Sequence, residues 1–384
     1  MPTSPGTQPE EPDTRVVDGT FDPGRSDVAA VTLSSRAEHR SEEMRRTGST
    51  PPFRGPDGKV VDGSVAEVAY RRLGGVDQWV MMRGRNVANP PLVILHGGPG
   101  FSETALFRYF NAALEERFTV VYWDQRGAGK SYDRTIPVTS MTVEQFIADL
   151  DELVDLVRDR LHTPRVAILG HSWGSVLGVL YTARYPEKVA AYIGTGQIGD
   201  WPAAEAASYQ HALAEAQRLG NRRARRRLRA IGSPPYDAEA VFTERTWSLR
   251  LAGGMRPAQV WKMAGAVIWS RESAIWEIPR GWRAFHASMS AMWPQVSQLN
   301  LVEMVPSLAV PVFFLLGRND PWVRPETSEA YFNALVAPAK QLIWFDRSGH
   351  EPFVDEPASF NAAMTGPVRS ILHPPARTGT GAVR

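Results

Sequence analysis

Gly170-His171-Ser172-Trp173-Gly174 fits G-x-S-x-G, the pattern that holds a serine on a sharp strand-to-helix turn. A serine hydroxyl is a weak nucleophile. It needs a base to take its proton and a carboxylate to orient that base. Two later stretches offer both. Arg318-Asn319-Asp320-Pro321 follows an apolar run that ends at Leu316-Gly317. Asp346-Arg347-Ser348-Gly349-His350 follows another that ends at Trp344-Phe345. We read Ser172 as the nucleophile, His350 as the general base and Asp320 as the orienting acid. Asp346 is the rival acid, but it lies too near His350 along the chain and suits a role in shaping the loop. The charge that develops on an attacked carbonyl needs two backbone N–H donors. Trp173, next after the nucleophile, is one expected donor. Gly98 in His96-Gly97-Gly98-Pro99-Gly100 is the other, because glycine lets a backbone amide approach closely.

These residues work only if strands and turns bring them together. Val166-Ala167-Ile168-Leu169 reads as a buried strand entering the serine turn, and the chain from Ser175 to Tyr181 reads as the helix leaving it. Val60 to Arg71 and Gln78 to Arg83 read as strands joined at Gly74-Gly75. Pro91 to Leu95, Thr119 to Trp123 and Ala191 to Gly194 are further short apolar runs of the kind central parallel strands need. Leu106 to Phe118 reads as a helix, and so does Thr142 to Leu161. In the second, Phe146, Ile147, Leu150, Leu153, Val154 and Val157 recur at three- and four-residue steps, and Thr142 with Gln145 makes a capping-box signature. Strands resume at Pro311 to Gly317 and Gln341 to Phe345, and a last helix is expected over Pro357 to Leu372. Alternating strands and helices predict an α/β fold with a mostly parallel, doubly wound sheet. Residues 198–300 break the alternation. They hold seven of the twelve tryptophans and no convincing strand, and read as an inserted helical cap.

The domain reading is a disordered tail over 1–55, a core over 56–197, the cap over 198–300, and the rest of the core over 301–384. The tail is rich in Pro, Gly, Ser, Thr and charge and cannot bury enough surface to offset its ordering entropy. At 384 residues, 43% hydrophobic and 22% charged, the chain can bury a large core. A net charge of +2 does not mark a nucleic-acid binder, so none is expected as a partner. Arg222 to Arg229 reads as a solvated helix face. The chain has no cysteine, which excludes a thiol nucleophile, disulfides and thiolate metal sites. Its eight histidines are scattered without H-E-x-x-H, so no metal and no cofactor are expected. Gly129-Lys130-Ser131 resembles the end of a phosphate-binding loop, but Asp124 stands where that loop needs glycine. No apolar run is long enough to span a membrane, and the first residues lack the basic and apolar regions of a secretory signal. No membrane partner is expected, and the expected location is cytoplasmic.

With turn, loop and triad in place, the chain resembles the proline iminopeptidase-like group of α/β-hydrolases. The matching pieces are His96 to Gly100, Asp124 to Ser131, Gly170 to Ser175, and Gly349-His350. The order serine, acid, histidine is also that of α/β-hydrolases. The resemblance covers residues 58–197 and 301–372. It implies the α/β-hydrolase fold and a serine peptidase that removes an N-terminal residue, often proline, from a short peptide through an acyl-enzyme. It also implies cap glutamates that recognise the substrate's free amino group. Among Glu205, Glu244, Glu272 and Glu277, the expected pair is Glu272 and Glu277, with Trp269 and Trp276 beside them. His171 departs from the group, whose classical members carry glycine there. An aromatic cap suits an apolar ester, lactone or amide equally, so esterase, lactonase or amidase action on a small metabolite is the alternative. A non-catalytic ligand receptor is a further alternative that an intact triad argues against.

Overall fold

The computed structural model describes residues 48–252, 257–268, 270, 272 and 277–372. One eight-stranded sheet organises them in the order β1-β2-β4-β3-β5-β6-β7-β8. The strands are β1 Val65–Leu73, β2 Val76–Gly84, β3 Pro91–Leu95, β4 Thr119–Trp123, β5 Val166–His171, β6 Val189–Thr195, β7 Val312–Gly317 and β8 Lys340–Phe345. β1 and β2 form an antiparallel hairpin through Gly74 and Gly75, both at positive φ, and β2 pairs antiparallel with β4. All other pairs are parallel. Side chains of successive strand residues point to opposite faces. Val93, Leu95 and Ile168 accordingly join one hydrophobic cluster, while Leu92, Ile94 and Leu169 join the other. Both faces are covered, as a parallel sheet requires.

The helices that matter for the site are α1 Thr104–Phe110, α2 Val143–Leu161 and α3 Trp173–Arg184, and α9 Pro325–Ala334 after β7. Between β6 and β7 the chain forms α4 Trp201–Arg218, α5 Arg222–Ile231, α6 Ala238–Leu251, α7 Pro257–Ile268 and α8 Ile278–Val296. Trp201, Trp247 and Trp293 are buried in the hydrophobic cluster there, while Trp282 is exposed. On α5, Ala224 and Leu228 are buried and Arg222, Arg223, Arg226, Arg227 and Arg229 face outward.

Three details depart from sequence expectation. The helix expected over Leu106 to Phe118 is divided at Asn111, where α1 ends and a 3-10 turn, Ala112–Glu116, begins. Asn111 is fully buried, and its Nδ2 donates to the Phe353 carbonyl at 2.9 Å. A tertiary hydrogen bond thus ends the helix that the apolar pattern would continue. At α2, the Thr142 hydroxyl accepts from the Gln145 N–H at 3.2 Å, the first half of a capping box. The Gln145 amide turns instead to Asp149 at 2.8 Å, inside a buried pair in which Arg126 meets Asp149 at 2.8 and 2.9 Å. The last helix is split as well. Pro357–Ala363 is followed by a wide π-type turn over Met364–Val368, and Pro367 there has no N–H to give.

The tail read over 1–55 lies outside the described residues as far as 47. Residues 48–55, by contrast, pack against the core. The Arg83 guanidinium donates to the Thr50 hydroxyl at 2.5 Å and the Pro51 carbonyl at 2.7 Å, and lies 4.7 Å over the Phe53 ring. Arg83 is buried and paired with Glu115, so these residues complete the shell of a desolvated charge. No helix among the described residues is long and apolar enough to cross a membrane.

Candidate active site

The site follows from the register of the parallel strands. Leu95 pairs with Gly170, so the loop from His96 and the turn at Ser172 leave the sheet side by side. His171 pairs with Thr195, Thr195 with Leu315, and Gly317 with Phe345. Asp320 and His350 therefore leave the same carboxyl edge, where open α/β sheets place their sites.

The turn at Ser172 is set by close packing. Ser172 has φ 53° and ψ −118°, a strained conformation for a residue with a side chain. A Cβ at Gly170 would lie 2.3 Å from the Gly174 carbonyl oxygen, and one at Gly174 only 2.1 Å from that of Leu95. Only glycine fits on either side. Between Val166 and Val179, Ser172 alone is not buried. Its N–H donates to Thr195 at 3.1 Å. Trp173 is the first residue of α3, and so carries one of the N–H groups that a helix cannot bond internally.

His350 lies two strands away from β6, and glycines clear its path. A Cβ at Gly317, the end of β7, would meet the Gly349 carbonyl oxygen at 1.9 Å. A Cβ at Gly196, beyond β6, would meet His350 Cε1 at 2.9 Å. The imidazole thus occupies the space that Gly196 leaves open beside the serine turn. His350 Nδ1 is 2.7 Å from Asp320 Oδ2. Asp320 Oδ1 accepts two backbone N–H bonds, from Trp322 at 2.8 Å and Val323 at 2.9 Å. The carboxylate cannot rotate without breaking these bonds. Both residues are buried, and the Trp322 ring stands 5.0 Å from that of His350. Asp346 is elsewhere, exposed and bound to Arg318 at 2.7 Å.

Gly98 has φ +113°, and a Cβ there would lie 2.6 Å from the Gly100 N. The loop is braced by its neighbours. His96 Nε2 accepts from the Gln125 N–H at 3.1 Å, and the Gln125 side chain donates to the His96 carbonyl at 3.0 Å. The same side chain accepts from the Trp173 indole at 3.0 Å. Burial pulls the pKa of His96 down, which suits a neutral ring that accepts at Nε2 and donates from Nδ1 to the Gly97 carbonyl. Asp124 ties the following turn by accepting from Ser102, Thr104 and the Lys130 N–H. The stretch Asp124 to Ser131 is thus a brace for the glycine loop.

The cap residues divide differently from expectation. Glu272 is bound to Arg108 at 3.2 Å and to Thr50 at 2.7 Å, and Glu277 to Lys130 at 2.5 Å. Both charges are already matched by basic groups of the core. Trp269 and Trp276 lie outside the described residues. The carboxylates linked to the site are Glu205 and Glu244, which share Arg245. The Ser208 hydroxyl lies 2.8 Å from Glu244 and 2.9 Å from the Pro321 carbonyl, with one proton to give between them, and the Trp322 indole donates to the Arg245 carbonyl at 3.2 Å. One indole therefore separates this cluster from His350. Two carboxyl groups thus face one guanidinium. Glu205 Oε2 is buried without a hydrogen-bond partner among the described residues, and burial pushes the Glu205 pKa up. Sequence spacing could not distinguish the two pairs, because helix docking decides which glutamates face the core. A separate cavity of about 470 Å³ on the outer side of α5, α6 and α8 is lined by Arg223, Arg227, Phe242, Trp247, Arg250 and His286, and by none of the triad candidates.

Residues 90–357 match the family model described as the alpha/beta hydrolase fold. The probable aminopeptidase YbaC of Bacillus subtilis is 29% identical over 80% of this chain and 98% of its own. A proline iminopeptidase of Heyndrickxia coagulans is 26% identical over 74% of this chain and 93% of its own. Among solved structures, the proline iminopeptidase-related protein of Thermus thermophilus superposes with a TM-score of 0.56 at 22% identity, covering 80% of this chain and 98% of that one.

Proposed function

The chain belongs to the α/β-hydrolase fold family, and on that footing we propose that it is a serine hydrolase of the proline iminopeptidase type. Ser172 Oγ attacks the substrate carbonyl carbon while its proton passes to His350 Nε2. The Trp173 and Gly98 N–H groups hold the oxyanion that forms. Collapse expels the amine, which takes the proton from His350, and leaves an acyl group on Ser172. Water then attacks the acyl carbon, His350 takes its proton, and the acid leaves as that proton returns to Ser172 Oγ. Asp320 keeps the His350 proton on Nδ1 and steadies the imidazolium in each step. The observation that carries this reading is the 2.7 Å bond from His350 to a carboxylate pinned by two backbone amides, beside a serine at φ 53°.

The aminopeptidase reading is supported by the relatives' names and by the Glu205, Glu244 and Arg245 cluster beyond Trp322, whose two carboxyl groups could accept from a substrate ammonium. A second reading, esterase or lactonase action, is favoured by exposed aromatic rings beside the glycine loop. Phe101 contacts Phe285 at 5.7 Å, which contacts Trp282 at 5.8 Å. The test is a screen of N-terminal prolyl amides against their N-acetylated forms, short-chain esters and lactones. Prolyl amide cleavage that acetylation abolishes supports the aminopeptidase. Turnover of esters or lactones alone supports the second reading. If a fluorophosphonate never labels Ser172, the serine hydrolase reading itself fails.

A further inference from the structure

His171, where the sequence departs from the iminopeptidase pattern, is not idle. It ends β5 with its ring buried between three loops. Nδ1 lies 2.6 Å from Glu103 Oε1, and Nε2 lies 3.1 Å from the backbone oxygen of His350. The two imidazoles stand 4.7 Å apart, and Phe353 closes the far side at 5.1 Å. Glu103 belongs to the segment that joins the glycine loop to α1. Gly97 leans on the pair, since a Cβ there would meet Glu103 Oε1 at 3.1 Å, His171 Nδ1 at 3.2 Å and Ser172 Cβ at 3.2 Å. One side-chain pair thus touches the loop proposed for the oxyanion, the serine turn and the main chain of the proposed base.

We propose that Glu103 and His171 are positioning residues, a buried strut that holds the His350 main chain at a set distance from the serine turn. The inference rests on the serine hydrolase reading above. Both partners of His171 are acceptors, so holding both requires two ring protons. Burial alone would strip one proton. The Glu103 carboxylate, its hydrogen bond, the nearby Glu351 and the His350 carbonyl outweigh burial and raise the His171 pKa to about 9. Of the other groups facing this ring, His96 has its own pKa lowered, chiefly by burial, and Glu351 has its pKa raised by burial. Once His171 loses a proton, the remaining one stays on Nδ1, where a carboxylate accepts it. Nε2 then turns a lone pair on the His350 carbonyl, and the base loop loses its anchor. Activity should therefore fall above about pH 9 for a reason outside the triad. In Glu103→Gln the amide N–H can donate to Nδ1, so a neutral His171 keeps its Nε2 proton on His350. That variant should remain active where the wild type fades.

The experiment measures the rate of fluorophosphonate labelling at Ser172 from pH 6 to 10.5, with p-nitrophenyl ester turnover beside it. Neither probe has an ammonium to titrate. The wild type should lose rate above about pH 9. His171→Leu should label about 10²-fold more slowly with ester KM little changed, because misplacing a catalytic group by about 1 Å costs this much. Glu103→Gln should label within a few-fold of wild type at pH 7.5 and lack the alkaline fall. His171→Leu labelling at the wild-type rate, or Glu103→Gln retaining the fall, overturns the strut. If His171→Leu does not fold, the second variant and a direct titration decide. In Ser172→Ala protein with ¹⁵N-labelled histidine, His171 should carry two ring protons at pH 7.5 and lose one near pH 9. A neutral His171 at pH 7.5 overturns the inference without reference to activity. Absence of wild-type labelling, with His171 titrating near pH 9, would sink the serine hydrolase reading and the positioning role that rests on it, and leave only the ion pair.

Discussion

Asp320→Asn should nearly abolish turnover while leaving the fold intact. The reason lies in how Asp320 is held. Its Oδ1 accepts from two N–H groups, Trp322 at 2.8 Å and Val323 at 2.9 Å, while Oδ2 faces His350 Nδ1 at 2.7 Å. An asparagine has one oxygen and one NH₂ for these two places. Putting the NH₂ against two donors would leave two buried N–H groups without acceptors, at about 1–3 kcal/mol each. The oxygen therefore takes the Oδ1 place and the NH₂ faces His350. His350 Nδ1 must then accept, which moves its proton to Nε2, the atom that has to receive the Ser172 proton. A wrong tautomer of this kind lowers kcat by about 10⁴, which is about 5.4 kcal/mol of transition-state stabilisation at 1.36 kcal/mol per decade. Because both backbone bonds survive, the thermal midpoint should move by no more than a few degrees. The assay is burst-phase kinetics with a p-nitrophenyl ester, paired with a melting curve by circular dichroism. A variant that keeps more than a tenth of wild-type kcat refutes the assignment of Asp320. An inactive variant that has also lost its cooperative melt refutes the claim that the loop tolerates the exchange.

Other perturbations test the elements around the site. Gly174→Ala would set a Cβ 2.1 Å from the Leu95 carbonyl oxygen, where both sides are backbone, and should cost at least about 1–3 kcal/mol in urea unfolding. Gly281→Ala is the contrast. It lies within α8 with open space around it, and should stabilise by about 0.5–1 kcal/mol. Arg126→Met strands the buried Asp149 and should cost about 3–5 kcal/mol, while the double change Arg126→Met with Asp149→Leu should recover only part of it, because Gln78 and Gln145 also lose an acceptor. If the two unfolding curves coincide, the pair is not isolated from water. Under the aminopeptidase reading, Glu205→Gln with Glu244→Gln should raise KM for prolyl amides about tenfold or more and leave ester KM unchanged. An equal effect on both substrates would assign the cluster to structure alone.

Much of the core was legible because its signals are local. Continuous apolar runs became β3, β4, β5, β6 and β7, since a strand buried on both faces has no alternative composition. The G-x-S-x-G motif is a local pattern, although its Gly174 answers to the distant Leu95 carbonyl oxygen, and Asp320 and His350 could be named as candidates because each follows its own strand. What local signals did not carry are places where a distant group decides. Asn111 ends α1 because its amide meets Phe353. Thr50 and Pro51 meet Arg83, a partner more than thirty residues away. Glu272 and Glu277 were the expected pair in the cap, yet Arg108 and Lys130 hold them.

Taken by itself, the amino-acid order determined the alternating strands and helices, the G-x-S-x-G pattern, the glycine loop, and the strand ends that carry Asp320 and His350. Short-range sterics and the periods of helix and strand suffice for these. Tertiary structure alone decided that Gly196 and Gly317 open a path for His350, that Trp322 meets the Arg245 that Glu205 and Glu244 share, and that Glu103 reaches His171 across 68 residues. Those relations depend on the register of parallel strands and the docking of helices. Such contacts join residues far apart in the chain, and no local pattern encodes them.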